Sequence, residues 1–325
     1  MPRKCANLDH QLQSNGLQAP DSADSLSRRG FLISACSSLC LSANALSAST
    51  SSLQPEEGRV VVGAHPWVYA ATLPDYDPTP VLSQIFSDMS YAGLDGVELM
   101  DSVLKADDSV EKIRKLSDRH QLPVIGTSFG ADMWDRASHP AILREATLVI
   151  TRLAKVGGKT FGTSVGATPR RKTDEQLDAQ ADLLGELIAV CQVHGIELNL
   201  HNHTYEVKDG LHDLKGTLKR LPEARLGPDL NWLIRGGVDP VEYIRQFGRR
   251  IVFLHLRDQS ADGTWSEAVG EGATDFKAIG KELKAIGFSG YAVIELAHEN
   301  KFQPTRPLRE SLKISREYVR EVLGY

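Results

Sequence analysis

The sequence predicts a single α/β domain, a (β/α)8 TIM barrel, over residues 59–325. Three observations predict it. Eight short apolar runs alternate with eight helical patterns over that span, which is close to the roughly 250 residues such a barrel takes. The first run is followed by His65-Pro66-Trp67 rather than a Gly-rich phosphate loop, which argues against a doubly wound sheet. The last four runs each end on a His, Asp or Glu, as strands do where they reach a shared rim.

The elements follow in order. Val60-Val61-Val62-Gly63-Ala64 reads as the first strand, and a helix over 80–92 has Pro80 near its start and Gly93 as its stop. Asp95-Gly-Val-Glu98-Leu-Met is the second strand, followed by a helix over 109–120. Residues 123–128 form the third strand, before a helix over 140–156 with Leu143, Ala146, Ile150 and Leu153 on one side. Residues 160–165 form the fourth. Thr173-Asp174-Glu175 opens a helix to His194 with a good N-cap and acid in the first turn. Strands five to eight end on Leu-Asn-Leu-His201-Asn-His203, Pro-Asp229-Leu-Asn231, Phe-Leu-His255-Leu-Arg257 and Val-Ile-Glu295. Their helices are expected at 211–221, 240–247, 276–286 and 307–323.

The chain is 41% hydrophobic and 24% charged with a net charge of −5, ordinary values that give no reason to expect nucleic acid as a partner. The N-terminal region reads differently. Ser27-Arg28-Arg29-Gly30-Phe31-Leu32 precedes an apolar, Ser/Ala-rich run and a small-x-small site at Ala43-Asn44-Ala45, the pattern of a twin-arginine export signal over 1–48. A polar linker, 49–58, follows. The run is short and diluted with serines, so no stable membrane span is expected in the mature chain, and the bacterial periplasm is the expected location. Cleavage after Ala45 would remove Cys5, Cys36 and Cys40 and leave Cys191 as a small core residue, with no disulfide.

The chemistry lies at the strand ends. His201, Asp229, His255 and Glu295 come from four successive strands and form a mixed nitrogen/oxygen set. Such a set suits one divalent ion, Mn²⁺, Zn²⁺, Co²⁺ or Fe²⁺, with Mg²⁺ also open, better than it suits a calcium cage. Taken singly, each histidine reads more readily as a hydrogen-bonded rim residue, and Asp229 as a turn cap; the set argues for a metal. Side chains alternate along a strand, so His203 is expected on the side of His201, and Arg257 on that of His255. Glu295, His203 and Glu206 are the candidate proton carriers. Arg257, Trp232, Asn231, Glu98 and His65 are candidate substrate contacts, with Glu98 also open as a proton carrier. Arg257 is equally open to a salt bridge with Asp258 or Glu271. Trp67, Trp134, Trp232 and Trp265 suit either sugar stacking or plugging of the barrel top.

These strand ends, with Val-Gly270-Glu-Gly272-Ala-Thr-Asp-Phe276, resemble the xylose-isomerase-like barrels. That superfamily holds sugar-phosphate isomerases/epimerases, ketose 3-epimerases, inosose dehydratases and endonuclease IV. The resemblance covers residues 60–325 and implies metal ligands at His201, Asp229, His255 and Glu295, spaced by 28, 26 and 40 residues. It also departs from the ketose 3-epimerases, which usually have a glutamate where His201 stands and a histidine where Trp232 stands. The expected activity is divalent-metal-dependent isomerisation or epimerisation of a small sugar or cyclitol, by proton transfer next to a carbonyl. The alternative is a dehydratase or lyase on a keto-sugar or 3-keto-glycoside. More remote alternatives are abasic-site DNA cleavage and a non-catalytic sugar-binding barrel. A homo-oligomer is compatible with all of these.

Overall fold

The computed structural model describes residues 59–299 and 302–325. The twin-arginine pattern, the linker and Cys5, Cys36 and Cys40 lie outside the described residues. Eight strands form one parallel sheet: β1 (Val60–Ala64), β2 (Gly96–Met100), β3 (Val124–Gly130), β4 (Thr160–Ser164), β5 (Glu197–Leu200), β6 (Arg225–Leu226), β7 (Phe253–Leu256) and β8 (Gly290–Ile294). Neighbours pair in the order β6-β5-β4-β3-β2-β1-β8-β7. Parallel bridges Leu226↔Ile251 and Asp229↔His255 then join β6 to β7, so the barrel all but closes. Eight parallel strands with helices between them make the expected (β/α)8 barrel.

The two faces of each strand divide the core. Leu198, Leu200, Leu254, Leu256, Ala292 and Ile294 face outward into the large core shared with the helices. Val61, Ile125, Phe253, Tyr291 and Val293 face inward and form a small separate cluster that plugs the barrel interior. The helices start and stop where local chemistry directs. Thr173 accepts from the Gln176 backbone N–H at 3.3 Å while the Gln176 side chain accepts from that of Thr173 at 3.0 Å, a reciprocal capping box for the helix Asp174–Val193.

Two elements differ from expectation, and both lie beside the candidate residues. The sixth strand is not 226–231: it stops at Leu226, before Gly227-Pro228, and a helix Leu230–Arg235 begins at once. Asp229 is its N-cap, accepting the Trp232 backbone N–H at 2.9 Å. Similarly, the helix expected over 211–221 begins at Thr204, with a break at 208–211 where Asp209, Gly210 and Leu211 have positive φ. Glu206 drives the early start, because its carboxylate accepts the His203 N–H at 2.6 Å.

Phe253 is 1% exposed and stands on β7 two residues before His255. Phe253→Ala is expected to cost about 3–5 kcal/mol in equilibrium denaturation with an unchanged m value. A loss under about 1 kcal/mol would show that the interior plug does not hold the barrel.

Candidate active site

Strand alternation delivers the site. On β7, Phe253 lies in the plug, Leu254 faces out, and His255 follows inward at 3% exposure, with Arg257 beyond it. On β8, Val293 faces in and Glu295 is the first residue past the strand, its N–H bonded to the Leu256 carbonyl at 3.0 Å. His201 likewise follows β5 directly, its N–H bonded to the Thr163 carbonyl at 2.9 Å. Asp229 enters as a helix cap rather than as a strand residue, and it is fully buried.

His255 is the hub. Its Nε2 lies 2.6 Å from Glu98 Oε2, while its Nδ1 lies 3.2 Å from His201 Nδ1 and 3.1 Å from Glu295 Oε2. Arg257 Nη2 pairs with Glu295 Oε1 at 2.6 Å and lies 3.5 Å from Asp229 Oδ2. Thus Arg257 turns to these two carboxylates and not to Asp258 or Glu271. His65 joins from β1, with Nδ1 3.6 Å from Glu295 Oε1 and Nε2 2.9 Å from Ser128 Oγ.

One donor atom each from His201, Asp229 and His255 lies within 4.8 Å of the others, a spacing that a divalent ion can bridge. Asp229 Oδ2 is buried and makes no hydrogen bond, with the Arg257 guanidinium 3.5 Å away as a cation beside it, so its lone pairs are open to a metal. The two Nδ1 atoms face each other at 3.2 Å, where a proton joins them in the metal-free protein and an ion replacing it would find two nitrogen donors. The donors therefore fit a metal. Glu295 adjoins this trio: Arg257 holds its Oε1, while its Oε2 lies 3.1 Å from His255 Nδ1, on the side of the donors.

Electrostatics sort the imidazoles. Burial alone would depress His255, but Glu98, Glu295 and Asp229 outweigh it and hold the pKa up to about 9. Burial pulls His201 well below its ordinary range and His65 also downward, and it pulls His203 down to about 4. Burial would raise Glu295, yet Arg257 and then His255 overcome it and hold the carboxyl well below the usual range. At neutral pH without a metal, His255 carries the proton and the other three rings are neutral.

The remaining candidates take varied places. The His203 ring sits 4.9 Å from that of His201 and 5.7 Å from Trp232, with its side chain 22% exposed and its Nδ1 3.2 Å from the Tyr205 hydroxyl. Glu206 is not brought to the donors. Its oxygens accept the backbone N–H groups of Val165 at 3.1 Å and His203 at 2.6 Å, so it braces the loops after β4 and β5. Burial, followed by nearby Asp213, pushes its carboxyl up to about 8. Asn231 is spent on structure too: it donates to Gln259 at 2.9 Å and accepts from the Trp265 indole at 3.0 Å. Trp232 and Trp265 flank Arg257, whose Cζ lies 5.4 and 5.3 Å from their ring centroids. Glu98 lies at His255 Nε2, on the side of the ring turned away from the donors.

Sequence reasoning missed Ser128, which holds His65, and the role of Asp258. The Asp258 carboxylate accepts the backbone N–H groups of Gln259, Gly270, Gly272 and Thr274 at 2.8–3.2 Å, folding the glycine motif after β7 into a fixed loop. Its place one residue after Arg257, facing the other way by strand parity, was the available signal.

The family profile described as "Xylose isomerase-like TIM barrel" matches residues 86–318. An inosose dehydratase of Clostridium beijerinckii is 20% identical over 285 residues, covering 78% of this chain and 93% of that protein. Among solved structures, D-allulose 3-epimerase from Methylomonas sp. superposes with a TM-score of 0.67 at 18% identity, covering 82% of this chain and 98% of that one. The 3-keto-D-glucoside 4-epimerase of E. coli superposes at 0.62 and 19% identity, covering 80% and 100%. At these identities the superpositions speak for the fold.

A metal entering between His201 and His255 must displace the His255 proton. Affinity for a divalent ion should therefore rise with pH, up to about tenfold per unit, and level off near pH 9, where the metal-free ring loses that proton. Calorimetry in buffers of differing ionisation enthalpy should read release of about one proton near pH 7. Affinity that is flat between about pH 6 and 8 would contradict this protonation state.

Proposed function

The chain belongs to the xylose isomerase-like TIM barrel family, and from that premise we propose that it is a divalent-metal-dependent isomerase or epimerase of small sugars or cyclitols, working by proton transfer next to a carbonyl. The observation that carries this reading is the convergence of His201, Asp229 and His255 beside the Arg257–Glu295 pair. A bound ion would polarise substrate oxygens as a Lewis acid.

The chain's own residues do the rest. Arg257 fixes Glu295 and gives the site a permanent positive charge. Trp232 and Trp265 supply apolar faces against which a sugar ring can stack. Arg257 ties up one oxygen of Glu295, whereas the His203 ring is neutral at pH 7 and partly exposed at the mouth, so we assign the substrate proton to His203 on position rather than on basicity.

A second reading, elimination of water or of an aglycone from a keto-sugar, is favoured by one observation. The trio pairs two imidazoles with a single carboxylate, and Glu295 beside it is tied to Arg257. Among the described residues, that leaves no carboxylate pair at the trio free of Arg257 for two-base epimerisation. The likeness to an inosose dehydratase agrees with it. Incubation with simple ketoses, inosose and 3-keto-glucosides in D₂O, followed by NMR, separates the two. Deuterium entering an otherwise intact or epimerised sugar supports the first reading, while loss of water or aglycone supports the second.

We predict that His203→Ala lowers kcat by about 10²–10⁴-fold with metal content unchanged, whereas His201→Ala loses the metal. Full turnover in His203→Ala would remove it from proton transfer. We further propose that residues 1–48 direct twin-arginine export, so that the substrate is an unphosphorylated sugar met outside the cytoplasm. Cell fractionation should find wild type in the periplasm and the Arg28→Lys/Arg29→Lys double variant retained inside; equal distribution of the two would refute the signal.

A further inference from the structure

Glu98 is the one acidic side chain of β2, and it is fully buried inside the barrel. An unpaired carboxylate sealed from water is expensive, so something must hold it there. Its Oε2 is spoken for by His255 Nε2 at 2.6 Å, and no Arg or Lys of the described residues forms an ion pair with it. Its other oxygen, Oε1, has no hydrogen-bond partner. The β4 position facing it is Gly162, where a Cβ would stand 3.6 Å from both Glu98 Oε1 and Asn199 Oδ1. Asn199 in turn fits only because residue 227 is glycine, since a Cβ there would fall 1.9 Å from its Oδ1. A Cβ at Gly162 would make only ordinary contacts, so it is the bond to His255 rather than spare room that marks the place of Glu98.

We propose that Glu98 is the positioning residue of the metal centre. It accepts the hydrogen bond of His255 Nε2–H, fixes the ring's tautomer and rotation, and so presents Nδ1 toward His201 and Asp229. A ring left free to turn would offer the ion either nitrogen, and only Nδ1 stands 3.2 Å from His201 Nδ1. Glu98 also completes a charge balance. Asp229, Glu295 and Glu98 carry three negative charges, and Arg257 with one divalent ion carries three positive ones. The inference rests on the metal reading above. It departs from the sequence expectation that Glu98 meets substrate or moves its proton, because His255 stands between Glu98 and the donors.

The test measures binding of Co²⁺ and Zn²⁺ by calorimetry to wild type, Glu98→Gln and Glu98→Met, with folding checked by circular dichroism. It also records the histidine ¹⁵N spectrum of the Zn²⁺-loaded proteins. Wild type should bind one ion and show His255 ligated through Nδ1 with a protonated Nε2. Glu98→Gln, which keeps an acceptor but not the charge, should bind about tenfold more weakly and keep Nδ1 ligation. Glu98→Met should bind up to about a hundredfold more weakly, with the Nε2–H signal lost or shifted. If wild type binds and Glu98→Gln stays within about twofold of it, the positioning role is overturned while the metal reading stands. If wild type binds neither ion, both fall. The Gln variant decides the matter even where Glu98→Met fails to fold.

Discussion

Three carboxylates, Glu98, Asp229 and Glu295, are sealed into one end of the barrel, each under a tenth exposed, and they face one guanidinium, Arg257. That imbalance governs the architecture of the site. Buried charge is tolerated only where opposite charge is supplied, and Arg257 can serve two of the three. The remainder falls on His255, which touches Glu98 with one nitrogen and Glu295 with the other. A protonated His255 meets part of the demand in the absence of metal, and a divalent ion with Arg257 would meet it in full. His201 and His65 stay neutral in spite of this imbalance, because burial outweighs the pull of the nearby carboxylates.

Much of the fold was legible because it follows from short-range chemistry. The helices over 109–120 and 240–247 fall as expected, and Thr173 and Gly93 act as start and stop. Strand parity correctly turned His255 and Arg257 to the same side, since β7 runs regular to Leu256. It was a poorer guide where the strand had already ended. β5 stops at Leu200 and β6 at Leu226, and beyond them helix capping takes over. Asp229 reaches the trio as an N-cap, which its sequence also allowed, whereas Glu206, expected as a proton carrier, turns back onto backbone amides.

Depth was the other illegible quantity. Parity says that Glu98 points inward, but not how far below the rim it lies. That depends on the register between neighbouring strands, with Gly96 opposite Gly63 and Glu98 opposite Gly126. Register is a property of the closed barrel and has no local signature. Asn231 shows the same limit in a different form. Nothing near it in sequence reveals that Gln259 and Trp265, some thirty residues later, will use both ends of its amide.

The loop after β7 shows how these constraints join. Asp258 gathers four backbone amides across 259–274, which fixes the segment carrying Trp265. Trp265 is bonded to Asn231 on the helix that Asp229 caps, and with Trp232 it flanks Arg257. Arg257 then holds Glu295. A loop rich in glycines and small residues thus reaches the carboxylate through Trp265 and a chain of direct contacts, each with a defined geometry. Preorganisation of this kind matters because a reacting group misplaced by about 1 Å can cost a hundredfold in rate. It also sets the direction in which the site can vary. The residues that close the loop are tied to one another, whereas His203 at the mouth is held by a stacked ring and one hydroxyl. Differences in reaction among barrels of this architecture are therefore easiest to build at the mouth, above a base whose charges leave little freedom.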